Sequence, residues 1–158
     1  MAATVLVVDD EETARMVISE FLRSKGYEVL EAGTLADARA VISKGVADII
    51  ILDVRLPDGY GPHLLTETSR LPLRPQVIIV TAHGEVSMAV EAMKNGAQDF
   101  MEKPIDLLEL EKSVNRAAEV IFMRRELAHF RSNKDNLDEF IVGDTPQMKH
   151  ILELAGRA

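Results

Sequence analysis

The sequence predicts an α/β fold built on a doubly wound parallel sheet. Two observations carry that expectation. Short apolar runs rich in β-branched residues recur between residues 4 and 102, and amphipathic helical patterns separate them. Strands joined through helices pair in parallel, because each crossover returns over a sheet face. Right-handed crossovers reduce the possible topologies to a few. Five strands and five helices fit a flavodoxin-like order, 2-1-3-4-5, with the last helix extended into a linker.

"TVLVVDD" (4–10) is the first buried-strand candidate. In 11–25, Ala14, Val17, Ile18, Phe21 and Leu22 repeat at three-and-four spacing, and Gly26 stops the helix. "YEVLEA" (27–32) is a weaker strand with polar residues interleaved. In 34–44, Thr34 is the expected N-cap, with Leu35, Ala38, Val41 and Ile42 on the buried face. "ADIIILDV" (47–54) is the most apolar strand, and Gly59 and Gly61 after it suggest a turn with positive φ. "QVIIVTA" (76–82) is the fourth strand. Residues 85–95 place Val86, Ala89, Val90 and Met93 on one helical stripe before an "NG" stop, and Met88 and Met93 read as packing groups. "AQDFME" (97–102) is the fifth strand, again weaker.

From 105 to 131 neither Gly nor Pro interrupts a helical pattern. Leu107, Leu110, Val114, Ala117 and Ile121 form one stripe; Met123, Leu127 and Phe130 lie on a slightly displaced one. Such a helix reaches roughly 40 Å, further than a five-stranded sheet needs. The extra length implies a partner, most simply a second copy in a short coiled coil. Leu107, Leu110, Val114, Ala117, Ile121 and Leu127 are the candidate dimerisation residues. "RSNKDNLDE" (131–139) reads as a flexible connector. Residues 140–158 restart a helical pattern too short for a core of its own, as if a second domain began there. The expected division is 1–120, an extended helix and linker over 105–139, and a truncated start at 140–158.

The net charge of −8 argues against direct nucleic-acid binding by this chain. The absence of cysteine excludes disulfides and thiol chemistry. No apolar stretch approaches transmembrane length, and the start lacks a secretory leader, so a cytoplasmic, membrane-free protein is expected. The four histidines are scattered singly and do not suggest a metal site.

In open parallel sheets, ligands sit beyond the carboxyl ends of the strands. There the first strand presents Asp9 and Asp10, the third Asp53, and the fourth Thr81, while Lys103 and Pro104 follow the fifth. Adjacent carboxylates resist ionising together unless a cation lies between them. Carboxylate oxygens with waters are the preferred set for Mg²⁺. A metal, a lysine and a carboxylate nucleophile are also the parts phosphoryl transfer needs. Asp53, alone after the most apolar strand, is the candidate nucleophile, and the Thr81 hydroxyl can donate to a transferred group.

"VVDDEE", "ILDVRLPDGYG", "VTAHG" and "DFMEKP" resemble, in order and spacing, the receiver domain of two-component response regulators over roughly residues 3 to 120. The resemblance implies that Asp53 is the phosphoacceptor, taking its phosphoryl group from a cognate histidine kinase. It implies Mg²⁺ held by Asp9, Asp10, Asp53 and the backbone carbonyl of Arg55, with Lys103 pairing with the phosphoryl group. Thr81 and Phe100 become a switch pair, Pro104 follows a cis bond, and Arg55 and His83 tune phosphoryl lifetime. Tyr60 stands where an acid is common in the family. The tail "FIVGDTPQMKHILELA" is similar to the opening of the AAA+ module of sigma-54-dependent transcriptional activators. It lacks a GxxxxGK[ST] loop, so any ATPase, sigma-54 polymerase or DNA role falls to domains beyond this chain. The function expected is a phosphorylation-controlled switch of self-association rather than an enzyme. The alternatives are a Mg²⁺-dependent aspartyl-phosphate phosphatase, against which Arg55 stands where the general acid would be, and an inactive receiver serving only dimerisation.

Overall fold

A computed structural model describes residues 3–82 and 86–142, with side chains as far as 129 apart from that of 86. Five parallel strands, β1 (Thr4–Val8), β2 (Glu28–Ala32), β3 (Ile49–Asp53), β6 (Gln76–Thr81) and β7 (Asp99–Glu102), form one sheet in the order β2-β1-β3-β6-β7. This is the predicted 2-1-3-4-5 order. The numbering differs because β4 (Arg55–Leu56) and β5 (Gly59–Tyr60) make a separate two-stranded antiparallel ribbon. The helices are α1 (Glu12–Ser24), α2 (Leu35–Ser43), α3 (His63–Thr68), α4 (Val86–Lys94) and α5 (Leu107–Val142).

Alternation along the strands divides the core by face. Leu6, Val8, Ile50, Leu52 and Ile79 face Leu35 and Ala38 of α2, Leu64 and Leu65 of α3, and Ala92 of α4. Val5, Val7, Ile49, Ile51, Ile78 and Val80 face Ile18 and Leu22 of α1 and Leu110, Val114 and Ala117 of α5. Burial on both sides explains why β3, Ile49–Asp53, is buried at every position and reads as a continuous apolar run.

Several expectations are corrected. Val17 and Val90, which spacing placed on buried faces, are 47% and 46% exposed, and Met93 is 40% exposed. Met88 does pack against the core. Gly59 has φ +156°, but Gly61 does not have positive φ. Its constraint is close approach, since a Cβ there would lie 2.0 Å from the Asp53 carbonyl oxygen. The polar stretch 131–139 is not a flexible connector: α5 continues through it to Val142, as an interior free of Gly and Pro allows. Of the candidate dimerisation residues, Leu110, Val114 and Ala117 are fully buried and Ile121 nearly so, while Leu107 packs against the same cluster. That stripe is occupied by the chain's own sheet. Leu127 lies outside it and is 50% exposed. The described backbone divides into two units, with the boundary between Ile121 and Phe122. Residues 143–158 and His83 lie outside the described residues, and the expected second-domain start at 140–158 falls almost wholly among them.

Candidate functional site

The site lies at the carboxyl rim of the central strands, because parallel β1 and β3 end side by side. Val8 pairs with Leu52, so the acids that follow each strand emerge together. Asp9 is 3% and Asp53 8% exposed, whereas Asp10 is exposed. One carboxylate oxygen from each of the three lies within 4.8 Å of the others. Lys103 bridges two of them: its Nζ donates to Asp9 Oδ2 at 3.1 Å and to Asp53 Oδ2 at 3.0 Å. It is delivered there by its own amide, which donates to the Thr81 carbonyl at 2.9 Å, and the Lys103–Pro104 bond is cis, as the family resemblance implied.

Backbone amides orient both carboxylates. The Glu11 amide donates to Asp9 Oδ1 at 2.9 Å and the Arg55 amide to Asp53 Oδ1 at 3.3 Å. Burial raises the Asp53 pKa and the charge of Asp9 adds to that, while Lys103 and the Arg55 amide oppose them without cancelling the rise. Burial pulls the Lys103 pKa down, but its bonds and charge interactions with Asp53 and Asp9 outweigh this and the amine is held above its ordinary value. The ammonium is therefore the positive charge that lets two buried carboxylates coexist.

This donor set fits Mg²⁺. It offers hard oxygen ligands from two or three carboxylates, open to solvent on the Asp10 side, and a residual repulsion that a dication would relieve. Thr81 is fully buried and its hydroxyl donates to the Ala82 carbonyl at 3.0 Å. Phe100 pairs with Ile79, two residues before Thr81, so Thr81 and Phe100 are diagonal neighbours on one face of the sheet. The ring is partly buried against that face's core. Arg55 is exposed beside Asp53, and Tyr60 stacks edge-on with His63, ring centroids 5.2 Å apart.

Two contributors escaped the sequence reading, and a third, Gly61, was noted there for a different reason. Arg15 of α1 donates through Nη1 to the Asp9 carbonyl at 2.6 Å. Asp58, at the tip of the β4–β5 ribbon, accepts from the Leu35 and Ala36 amides at 2.8 and 3.0 Å and shares the capping of α2 with Thr34. Gly61 lets the ribbon return against the backbone of Asp53. Position in α1 does not signal the reach of Arg15, and position in a short turn does not signal the long-range cap of Asp58.

Comparison with known proteins agrees with this geometry. Residues 5–115 match the response regulator receiver domain family. Nodulation protein W of Bradyrhizobium diazoefficiens is 34% identical over 152 residues, covering 96% of this chain and 66% of that protein. Regulatory protein AtoC of Escherichia coli is 35% identical over 125 residues, covering 79% of this chain and 27% of the relative. The chain thus spans about two thirds of one relative's length and about a quarter of the other's. The solution structure of the beryllofluoride-activated NtrC4 receiver domain dimer superposes with a TM-score of 0.70 at 36% identity, covering 75% of this chain and 98% of that one.

Proposed function

The chain belongs to the response regulator receiver domain family, and on that premise we propose that it accepts a phosphoryl group on Asp53 from a histidine kinase in a Mg²⁺-dependent reaction. The observation that carries this reading is the convergence of three carboxylates within 4.8 Å, two of them buried and bridged by one lysine. A carboxylate oxygen of Asp53 attacks the phosphorus of a phosphohistidine; the phosphorus–nitrogen bond breaks and the imidazole leaves with its electron pair. Mg²⁺ held by Asp9, Asp10, Asp53 and the Arg55 carbonyl would neutralise charge on the phosphoryl oxygens. The Asp53 side chain must be ionised to attack, and Lys103 favours that form against the effect of burial.

Once Asp53 carries phosphate, Lys103 can follow the charge from the carboxylate to a phosphoryl oxygen. The Thr81 hydroxyl can exchange the Ala82 carbonyl for another, and Phe100 can turn into the space left on the shared face. Arg55 and His83 are assigned to tuning acyl phosphate lifetime. The output is a change in self-association. Because Leu110, Val114 and Ala117 are spent on the core, the pairing surface is the displaced stripe of α5, where Met123 is 60% and Leu127 50% exposed. The likeness to a beryllofluoride-activated receiver dimer supports self-association as the output. Among the described residues, no helix is long and apolar enough to cross a membrane. A cytoplasmic regulator whose attached AAA+ module works with sigma-54 polymerase is the reading we extend to the longer protein.

Intact-mass spectrometry after acetyl phosphate treatment tests the chemistry. One phosphoryl group is expected in the presence of Mg²⁺, lost on chelation and absent from Asp53→Asn. Labelling that persists in Asp53→Asn would overturn the assignment.

A further inference from the structure

The two acids that begin the site are consecutive, so the peptide unit between Asp9 and Asp10 sets how their side chains are disposed. That unit's carbonyl is the Asp9 oxygen, and it accepts a 2.6 Å bond from Arg15 Nη1. The guanidinium is itself anchored, because its Nε donates to Glu31 Oε1 of β2 at 3.2 Å, and Arg23 supports the same carboxylate at 3.6 Å. Gly33 leaves room for this arrangement: a Cβ there would lie 3.3 Å from Arg15 Nη1 and 4.0 Å from the Asp9 carbonyl oxygen. The amide end of Asp9 is also held, by a 3.1 Å bond to the Ala32 carbonyl. An exposed helix arginine normally turns to solvent. This one is largely covered, its side chain 19% exposed, and it spans from α1 to β2 across the loop that carries the acids.

We propose that Arg15, anchored by Glu31, is a positioning residue that clamps the Asp9–Asp10 peptide plane and so preorganises the metal-binding carboxylates. The inference rests on reading the acid cluster as a metal-dependent phosphoacceptor site. Neighbouring carboxylates repel and would rotate apart if the peptide between them were free. A held peptide removes that freedom before the cation arrives, so the clamp acts on metal affinity rather than on the attacking oxygen. The fixed fork of arginine matters, since one group must meet a carbonyl and a carboxylate at once. Lysine can satisfy one of them at a time.

The test titrates the full chain with MgCl₂, following backbone amide NMR shifts, and records thermal unfolding and the rate of labelling by acetyl phosphate. Arg15→Met is expected to weaken Mg²⁺ binding about tenfold, Arg15→Lys less, and Glu31→Gln least. In each variant the labelling rate recovers towards that of the parent as Mg²⁺ is raised. A lowered melting temperature with an unchanged Mg²⁺ midpoint would make Arg15 merely structural and overturn the proposal. Should Arg15→Met not fold, Arg15→Lys and Glu31→Gln decide by the same criterion. A parent chain that neither binds Mg²⁺ nor labels sinks the phosphoacceptor reading and this inference together. A parent that does both, beside variants that match it, sinks this inference alone.

Discussion

Lys103 bridges both buried acids, and that gives it two opposed effects. It stabilises the site without metal through its contacts with Asp9 and Asp53, and its positive charge opposes a dication at the same carboxylates. Lys103→Met is therefore expected to bind Mg²⁺ more tightly, on the order of tenfold for one charge removed near the surface, while losing phosphoryl-dependent response. Calorimetric titration with MgCl₂ checks the first, and unchanged or weaker binding would contradict it. Asp58 makes a pH prediction. The amides of Leu35 and Ala36 hold its carboxyl below the usual range. The stability it contributes is thus complete above the unfolded pKa of about 3.9 and is lost as pH falls through the lower folded value. Asp58→Asn should lower the urea midpoint at pH 7, with the deficit from the parent narrowing only below about pH 3.9. The acids, Thr81 and Lys103 were legible as site residues because each ends or follows a recognisable strand. Arg15 and Asp58 were not, because their partners are on other elements.

Among the elements, α5 carries one stripe packed on the sheet and one exposed, to which the proposed function gives separate tasks. Leu110 is fully buried between helix and sheet, so Leu110→Ala is expected to cost about 2–5 kcal/mol of stability. Leu127 is half exposed, and Leu127→Ala should change monomer stability by less than about 0.5 kcal/mol. It should nonetheless weaken self-association. Urea unfolding and sedimentation of the two variants separate these outcomes; equal loss of stability in both would refute the division. The apolar stripes of this helix were evident from spacing, but its continuation to Val142 was not, nor was which stripe meets the sheet, since both repeat at three-and-four intervals. For the same reason Val17 and Val90 were misplaced: a helix pattern gives a face wider than the contact it makes. The six-residue α3 and the two-residue strands of the ribbon are too short for any period to show.

For the whole molecule, the proposed switch couples the rim of the sheet to α5 through Thr81, β7 and the Lys103 loop. Beryllofluoride with Mg²⁺ should shift amide resonances on β7 and α5 and change the mass measured by light scattering. An unchanged mass at concentrations where the phosphoryl mimic saturates Asp53 would remove self-association as the output. Sequence alone determined the parallel pairing and the identity of the acids, because side-chain period acts locally, and crossover handedness narrowed the strand order to a few, of which 2-1-3-4-5 is the one found. It also carried the lysine that neutralises those acids. Only the tertiary structure decided how far each apolar helix face was covered, which carbonyl Arg15 reached, and where Asp58 capped. Those depend on distances between elements far apart in the chain, which no local periodicity encodes.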